Sequence, residues 1–176
     1  MKRLLLTLAV VWLAQSSSFA ITAAQRTLCQ GDEQVLFSCP VQDGTKIVSL
    51  CSSKNLTDKD GYLQYRFGSV GEVELEFPPQ RLATQGMFRY SHYFRYQVDR
   101  VAVRFDRNGY TYTLFDNYEG DTKPKVRQQG VQISLPGAGR KDVIFLCRGA
   151  AIGRLGSLIS IVPCDKDDAL NMGECR

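Results

Sequence analysis

Hydrophobic and polar residues alternate along most of this chain with a period of two, the spacing that puts every second side chain on one face of a β-strand. In "VLFSCPVQDGTKIVSLC", Val35 to Cys51, two β-rich runs flank Gln42-Asp43-Gly44-Thr45, which predicts a hairpin turning at Asp-Gly. "YLQYRFGSVGEVELEF" repeats the plan. Leu63, Tyr65 and Phe67 alternate with Gln64 and Arg66, Gly68 to Gly71 turns the chain, and Val73, Leu75 and Phe77 alternate with Glu72, Glu74 and Glu76. Pro78-Pro79 ends that strand, because proline has no N–H to give to a ladder.

The stretch "FRYSHYFRYQVDRVAVRF", Phe88 to Phe105, is the densest in arginine and aromatic residues. Its even positions Phe88, Tyr90, Phe94, Tyr96 and Val98 are apolar or aromatic and predict a core face, whereas from Val101 onward the apolar positions are odd: Val101, Val103, Phe105. A strand cannot change its core face without an irregularity, so a bulge or tight bend is expected at Asp99-Arg100. Next, Asn108-Gly109 is the strongest short hairpin signal in the chain. With those two residues as the turn, Arg107 faces Tyr110, Phe105 faces Tyr112 and Val103 faces Leu114, which lands the apolar sets on one face.

"GVQISL" and "DVIFLC" flank Pro136-Gly137-Ala138-Gly139-Arg140 and predict another hairpin. After Cys147, apolar residues at Ile152, Leu155, Leu158, Ile159 and Val162 have the spacing of a short helix. Gly153 and Gly156 weaken it, and Ile159 to Val162 also reads as a strand. Eight to nine short strands, glycine-rich turns and no regular helices between them predict an all-β fold: an antiparallel β-sandwich or barrel with a short C-terminal helix or loop.

The first twenty residues change the picture from fold to location. Lys2 and Arg3, an apolar run from Leu4 to Ala14 and a tail ending Ser18-Phe19-Ala20 match a cleavable signal peptide, leaving residues 21–176 as a single exported domain in the periplasm or secreted. No later segment has the roughly eighteen unbroken apolar residues of a membrane helix. All six cysteines, Cys29, Cys39, Cys51, Cys147, Cys164 and Cys175, fall in the exported part, and an even count in an oxidising compartment reads as three disulfides. The expected pairing has a long-range staple from Cys39 or Cys51 to Cys147, with Cys164 bonded to Cys175. A metal site is not expected, since there is no Cys-x-x-Cys pair and only one histidine, and no residue pattern calls for a cofactor. The formal charge of +4 is too weak to imply nucleic acid as a partner.

Candidate chemistry is sparse. Nucleophilic catalysis would have to use His92, the only imidazole, with cysteines that are already oxidised and no Gly-x-Ser-x-Gly elbow; His92 reads as a strand-end or loop residue. Paired carboxylates are the remaining enzymatic option, since a glycosidase needs only two acids at a suitable separation. Glu72, Glu74 and Glu76 share a strand face, but one that reads as solvated and set against edge pairing. Asp58-Lys59-Asp60-Gly61 lacks the third ligand and distal glutamate of a calcium loop and reads as a turn. Arginines alternating with aromatics are the better candidate. Arg89, Ser91, His92, Tyr93 and Arg95 would form a binding segment, with Arg100 and Arg104 adding charge and Tyr93 a stacking surface, for a protein partner or an anionic cell-envelope glycan.

"FSCPVQDGTKIVSLC", "GYLQYRFG", "ELEFP", "VRFDRNGYTYTLF" and "VIFLC" together resemble a family of small, functionally uncharacterised exported proteobacterial β-proteins, over most of Val35 to Cys147. More remotely, the signal peptide, the small β-fold, an early Phe-x-Cys and a late cysteine are similar to bacterial inhibitors of C-type lysozyme, in which a Ser-Gly-x-x-Tyr loop enters the enzyme's cleft. The nearest stretch here, Ser91-His92-Tyr93-Phe94-Arg95, lacks that glycine and that tyrosine. The resemblance implies a non-enzymatic binding protein, an inhibitor or immunity protein against a cell-wall hydrolase. The alternatives are a carboxylate-based hydrolase of envelope glycan and an envelope structural protein. Arg89, Tyr93 and Arg95 clustered on a protruding edge would favour the binder; two glutamates about 5 to 9 Å apart in a cleft would favour the hydrolase.

Overall fold

The computed structural model describes residues 27–42, 44–137, 140–171 and 175; the expected signal peptide, Met1 to Ala20, lies outside the described residues. Ten strands form two five-stranded antiparallel sheets. The first holds β1 (Glu33–Pro40), β2 (Ile47–Ser53), β3 (Leu63–Ser69), β4 (Glu72–Phe77) and the two-residue β10 (Ile152–Gly153) in the order β10-β1-β2-β3-β4. The second is a meander of β5 (Arg89–Arg95), β6 (Val98–Arg107), β7 (Tyr110–Glu119), β8 (Val126–Ser134) and β9 (Val143–Leu146). The sandwich has more strands than expected because β5 and β6 are separate strands and Ile152–Gly153 adds to the edge of β1. The C-terminal helix is reduced to 3₁₀ turns at Leu155–Leu158 and Ala169–Asn171, and Ile159 to Val162 forms no strand.

Local turn chemistry fixes most of the pairing. Asn108 (φ 52°) and Gly109 (φ 79°) both occupy the left-handed region, as a turn matched to strand twist requires, and the β6–β7 register is Arg107 to Tyr110, Phe105 to Tyr112, Val103 to Leu114. β1 pairs with β2 with Pro40 opposite Ile47, and the Val41 N–H donates to the Lys46 carbonyl at 3.0 Å.

The inner faces meet through aromatic rings. Phe105 of β6 stacks on Phe77 of β4 (centroids 4.5 Å) and on Tyr112 of β7 (4.9 Å), and tilts against Tyr65 of β3 (5.0 Å) and Phe88 (5.6 Å). Leu50, Leu63, Val103, Leu114 and Val131 complete the buried core around it. The Cys39–Cys147 disulfide crosses this core with a sequence separation of 108, resolving the open choice in favour of Cys39. Cys29–Cys51 and Cys164–Cys175 tie down the two ends of the described chain.

The outer face of the first sheet departs from the solvated face that its alternation predicts. Ser38, Ser49, Gln64 and Arg66 are buried there, beneath the segment that leads into β1. Leu28 donates its N–H to Ser49 Oγ (2.9 Å) and accepts from Arg66 Nη1 (3.2 Å), and Cys29 is bonded to Cys51. Arg66, only 1% exposed, forks onto both Glu33 oxygens at 2.6 and 2.8 Å, donates Nε to Glu76 (2.8 Å) and also reaches Gln64. Burial alone would raise the Glu33 pKa. The hydrogen bonds from Arg66, the Gln30 N–H and Tyr62, with the Arg66 charge, outweigh it and hold the carboxyl below its ordinary value.

Because the folded chain gives up the Glu33 proton at lower pH than the unfolded chain does, this contribution is complete above the ordinary carboxylate range and is lost as pH falls below it. Glu33→Gln should cost about 3 to 5 kcal/mol at neutral pH by leaving buried Arg66 undercompensated. It should also flatten the acid dependence of the urea midpoint; undiminished acid sensitivity in the variant would assign it to other carboxylates. Removing the long disulfide with Cys39→Ser/Cys147→Ser should cost about 2 to 5 kcal/mol, more than the same change at Cys164 and Cys175, because the closed loop is longer. Denaturant midpoints of the two double variants rank them.

Candidate functional site

The strand β5 carries the sequence-predicted residues, and the structure distributes them over two faces and most of a strand length. The chain reverses at Tyr96-Gln97, so Arg95 faces Val98, His92 faces Val101 and Arg89 faces Arg104. This reversal accounts for the change of parity: across a two-residue turn, even positions pair with odd ones. The bend expected at Asp99-Arg100 is therefore absent, and both residues lie in regular pairing within β6.

Arg89 is exposed at the start of β5, where it donates to the Gly86 and Phe88 carbonyls. Ser91 is buried; its hydroxyl donates to Asp168 at 2.8 Å. His92 points to the opposite face, half-buried, with Nε2 2.8 Å from Asp99 Oδ1. Tyr93 shares the outer face with Arg95, and the Arg100 guanidinium lies 5.9 Å from its ring centroid. Arg95 donates to Asp121 at 2.6 Å and Arg100 to Glu119 at 2.5 Å; Arg104 pairs with buried Asp165 at 2.9 Å. The hydrogen bond from Arg95, with its charge, holds the Asp121 carboxyl below its ordinary value. Three of the four arginines proposed to grip an anion already hold carboxylates, so the alternating pattern does not produce an open cationic face.

The structure brings forward two residues that the sequence assigned to the core. Phe94 is 72% exposed and Tyr96 is 83% exposed, at the tip of the β5–β6 hairpin. Neither is covered by the opposing sheet. Gln97 holds the turn with φ 63°, a left-handed conformation that a non-glycine residue seldom adopts, and its carbonyl accepts the Gly120 N–H at 2.6 Å, which ties the tip to the β7–β8 connection. The ion pairs Arg95–Asp121 and Arg100–Glu119 and the His92–Asp99 hydrogen bond lie at the same end of the sheet as the two aromatics. The sequence signal for this arrangement was the parity change itself; Tyr-Gln has none of the usual turn chemistry, so its position was hidden.

Below the tip on the inner face, Tyr90 follows His92 with ring centroids 6.2 Å apart. Burial, with Asp99 nearby, pushes its hydroxyl up to about 12, so it stays protonated at physiological pH. The carboxylates weighed for hydrolysis sit elsewhere. Glu74 pairs with Lys46 and Glu76 with Arg66, on the edge strand β4. The Asp58–Gly61 segment is a turn in which Thr57 Oγ1 accepts the Asp60 N–H at 2.8 Å. Among the described residues, the metal-like grouping of Cys29, Glu33 and Cys51 has its sulfurs bonded to each other, and no helix is long and apolar enough to cross a membrane.

Gln97→Gly should be neutral or raise stability by up to about 1 kcal/mol, since glycine takes the left-handed conformation without a steric penalty. Glycine at regularly paired Arg100 should instead lower stability, and thermal midpoints of the two variants separate the cases.

Comparison of the chain with protein-family models, with curated proteins and with solved structures finds no match to any of them.

Proposed function

We propose that this chain is a non-enzymatic binding protein of the periplasm, or secreted, that engages a protein partner through the β5–β6 tip, the partner being a cell-wall hydrolase that it inhibits. The exposure of Phe94 and Tyr96 on a convex two-residue turn carries this reading. Large aromatics at the centre of a patch, with paired charges around them, have the composition of an interface whose few central residues supply most of the affinity. A convex tip is also the shape that complements the cleft of a hydrolase, where substrate would otherwise lie. Gln97 adds support: a left-handed non-glycine residue is retained where the surrounding structure holds it, and such outliers gather at functional sites. Export fits the three disulfides, which persist in oxidising compartments.

The neutralised arginines favour a protein over an anionic glycan as the partner of this tip. Tyr93, Phe94, Arg95 and Tyr96 replace the longer Arg89 to Arg95 segment as the contact, since Ser91 is buried and Arg89 stands about six strand positions from Arg95, roughly 20 Å away.

Adding the disulfide-bonded protein to peptidoglycan suspensions should slow their clearing by a susceptible hydrolase. Phe94→Ser/Tyr96→Ser should weaken that inhibition by roughly 30-fold, the equivalent of one hot-spot residue or more, while leaving the urea midpoint within error of the parent. Absence of inhibition across lysozyme-type, amidase and transglycosylase activities, or inhibition untouched by the double substitution, would overturn the proposal.

A further inference from the structure

The outer face of the second sheet holds a groove of about 570 Å³, distinct from the hairpin tip, and its chemistry is that of neither a core nor a charged interface. Strand register builds it. Side chains of Ala102, Phe115 and Leu146 come from β6, β7 and β9 on one transverse row, with Gly130 of β8 between the last two. A Cβ at Gly130 would stand 2.2 Å from the Phe145 carbonyl oxygen, so this position on the row is held as bare backbone. The neighbouring rows bring in Asn117 and Gln128 on one side and Thr113, Gln132 and Ile144 on the other.

One wall comes from the C-terminal segment, which is held against β5. The Tyr90 N–H donates to the Pro163 carbonyl and the Asp165 N–H to the Tyr90 carbonyl, both at 2.8 Å, and the His92 N–H donates to Asn171 Oδ1 at 3.0 Å. This places Asp168 and Leu170 on the rim. Asp168 is the one charged residue in the lining, and its two oxygens already accept from the Ser91 hydroxyl and the Leu170 N–H, each at 2.8 Å.

We propose that this groove binds a neutral oligosaccharide. The volume lies within the roughly 300 to 1,000 Å³ typical of small-ligand clefts. Three amides and a hydroxyl supply donors and acceptors without net charge, and an aromatic ring beside two aliphatic side chains supplies the apolar surface that the C–H face of a sugar ring covers. Asn117 Oδ1 is shielded from solvent and has no hydrogen-bond partner, so turning this amide into the groove to accept from a ligand hydroxyl gives up no existing bond of the oxygen. The lining excludes the other occupants. An anion would find no cation; an acyl chain would bury the amides unpaired. An extended peptide needs a free strand edge for main-chain pairing, whereas most of this floor is the face of β6, β7 and β8, each already paired on both sides, and only the four-residue β9 lies at the edge of the sheet.

The proposal is independent of the reading of the tip, and its test separates them. Labelled disulfide-bonded protein is applied to a panel of neutral and acidic oligosaccharides, and the best neutral binder is titrated while the side-chain amide signals of Asn117, Gln128 and Gln132 are followed by NMR. Saturable shifts of those signals are expected, with Asn117→Ala/Gln128→Ala lowering affinity at least tenfold and Ala102→Phe, which fills the floor, abolishing binding. The amide double variant serves where Ala102→Phe does not fold. Phe94→Ser/Tyr96→Ser should leave sugar binding unchanged. No neutral binder at millimolar concentrations, a preference for acidic sugars, or shifts confined to other surfaces would overturn it.

Discussion

Phe105 is the contact on which the two sheets depend. It comes from β6 of one sheet, yet touches rings from β3 and β4 of the other as well as Phe88 at the entrance to β5. Offset and tilted ring pairs of this kind add to the area they bury, and here they join the aliphatic core between the sheets, Cys39–Cys147 and the short backbone bridge between Val41 and Cys147. The interlocked rings set the separation and slide of the sheets, and therefore which residues of β5 and β6 are covered and which project beyond the core.

Each outer face is then completed by a terminal segment. Leu28 and Cys29 lie over the first sheet and enclose the ion pair of Arg66 with Glu33. A buried pair of this type gains little over an apolar substitute, but it is severe on any arrangement that leaves one member alone, so it specifies how that segment lies. Across the molecule, Pro163, Asp165, Asp168 and Asn171 pair with β5 and β6 and cover an edge that would otherwise be open for association. The cover is incomplete, and what it leaves open is chemically distinct at two places: aromatic rings with paired charges at the β5–β6 tip, and uncharged amides over small residues in the groove.

Several arginines among the described residues are structural. Arg66, Arg95, Arg100, Arg104 and Arg127 each hold a carboxylate across strands or onto a connection. The guanidinium fork suits that task, since it can satisfy two partners in one plane. The dense arginine and aromatic pattern between Phe88 and Phe105 thus divides into charges that fasten the sheet and rings that either fill the core, as Phe88, Tyr90 and Phe105 do, or stand clear of it, as Phe94 and Tyr96 do.

What the chain determined by itself was local. Alternation marked the strands, Asn108-Gly109 set the register of β6 on β7 because two consecutive left-handed residues permit one tight reversal, and the Asp-Gly signal after Pro40 marked the hairpin of β1 with β2. The change of parity after Val98 announced an irregularity and pointed to Asp99-Arg100, whereas the chain reverses at Tyr96-Gln97, which has no glycine or proline to mark it. Only the tertiary structure decided which aromatic residues meet water and which polar ones do not. Alternation says which side chains share a face, but how far that face is covered depends on the reach of the opposite sheet, which strands Phe94 and Tyr96 outside, and on segments distant in sequence, which enclose Arg66 and Ser91 and leave the amide-lined groove between them and the sheet edge.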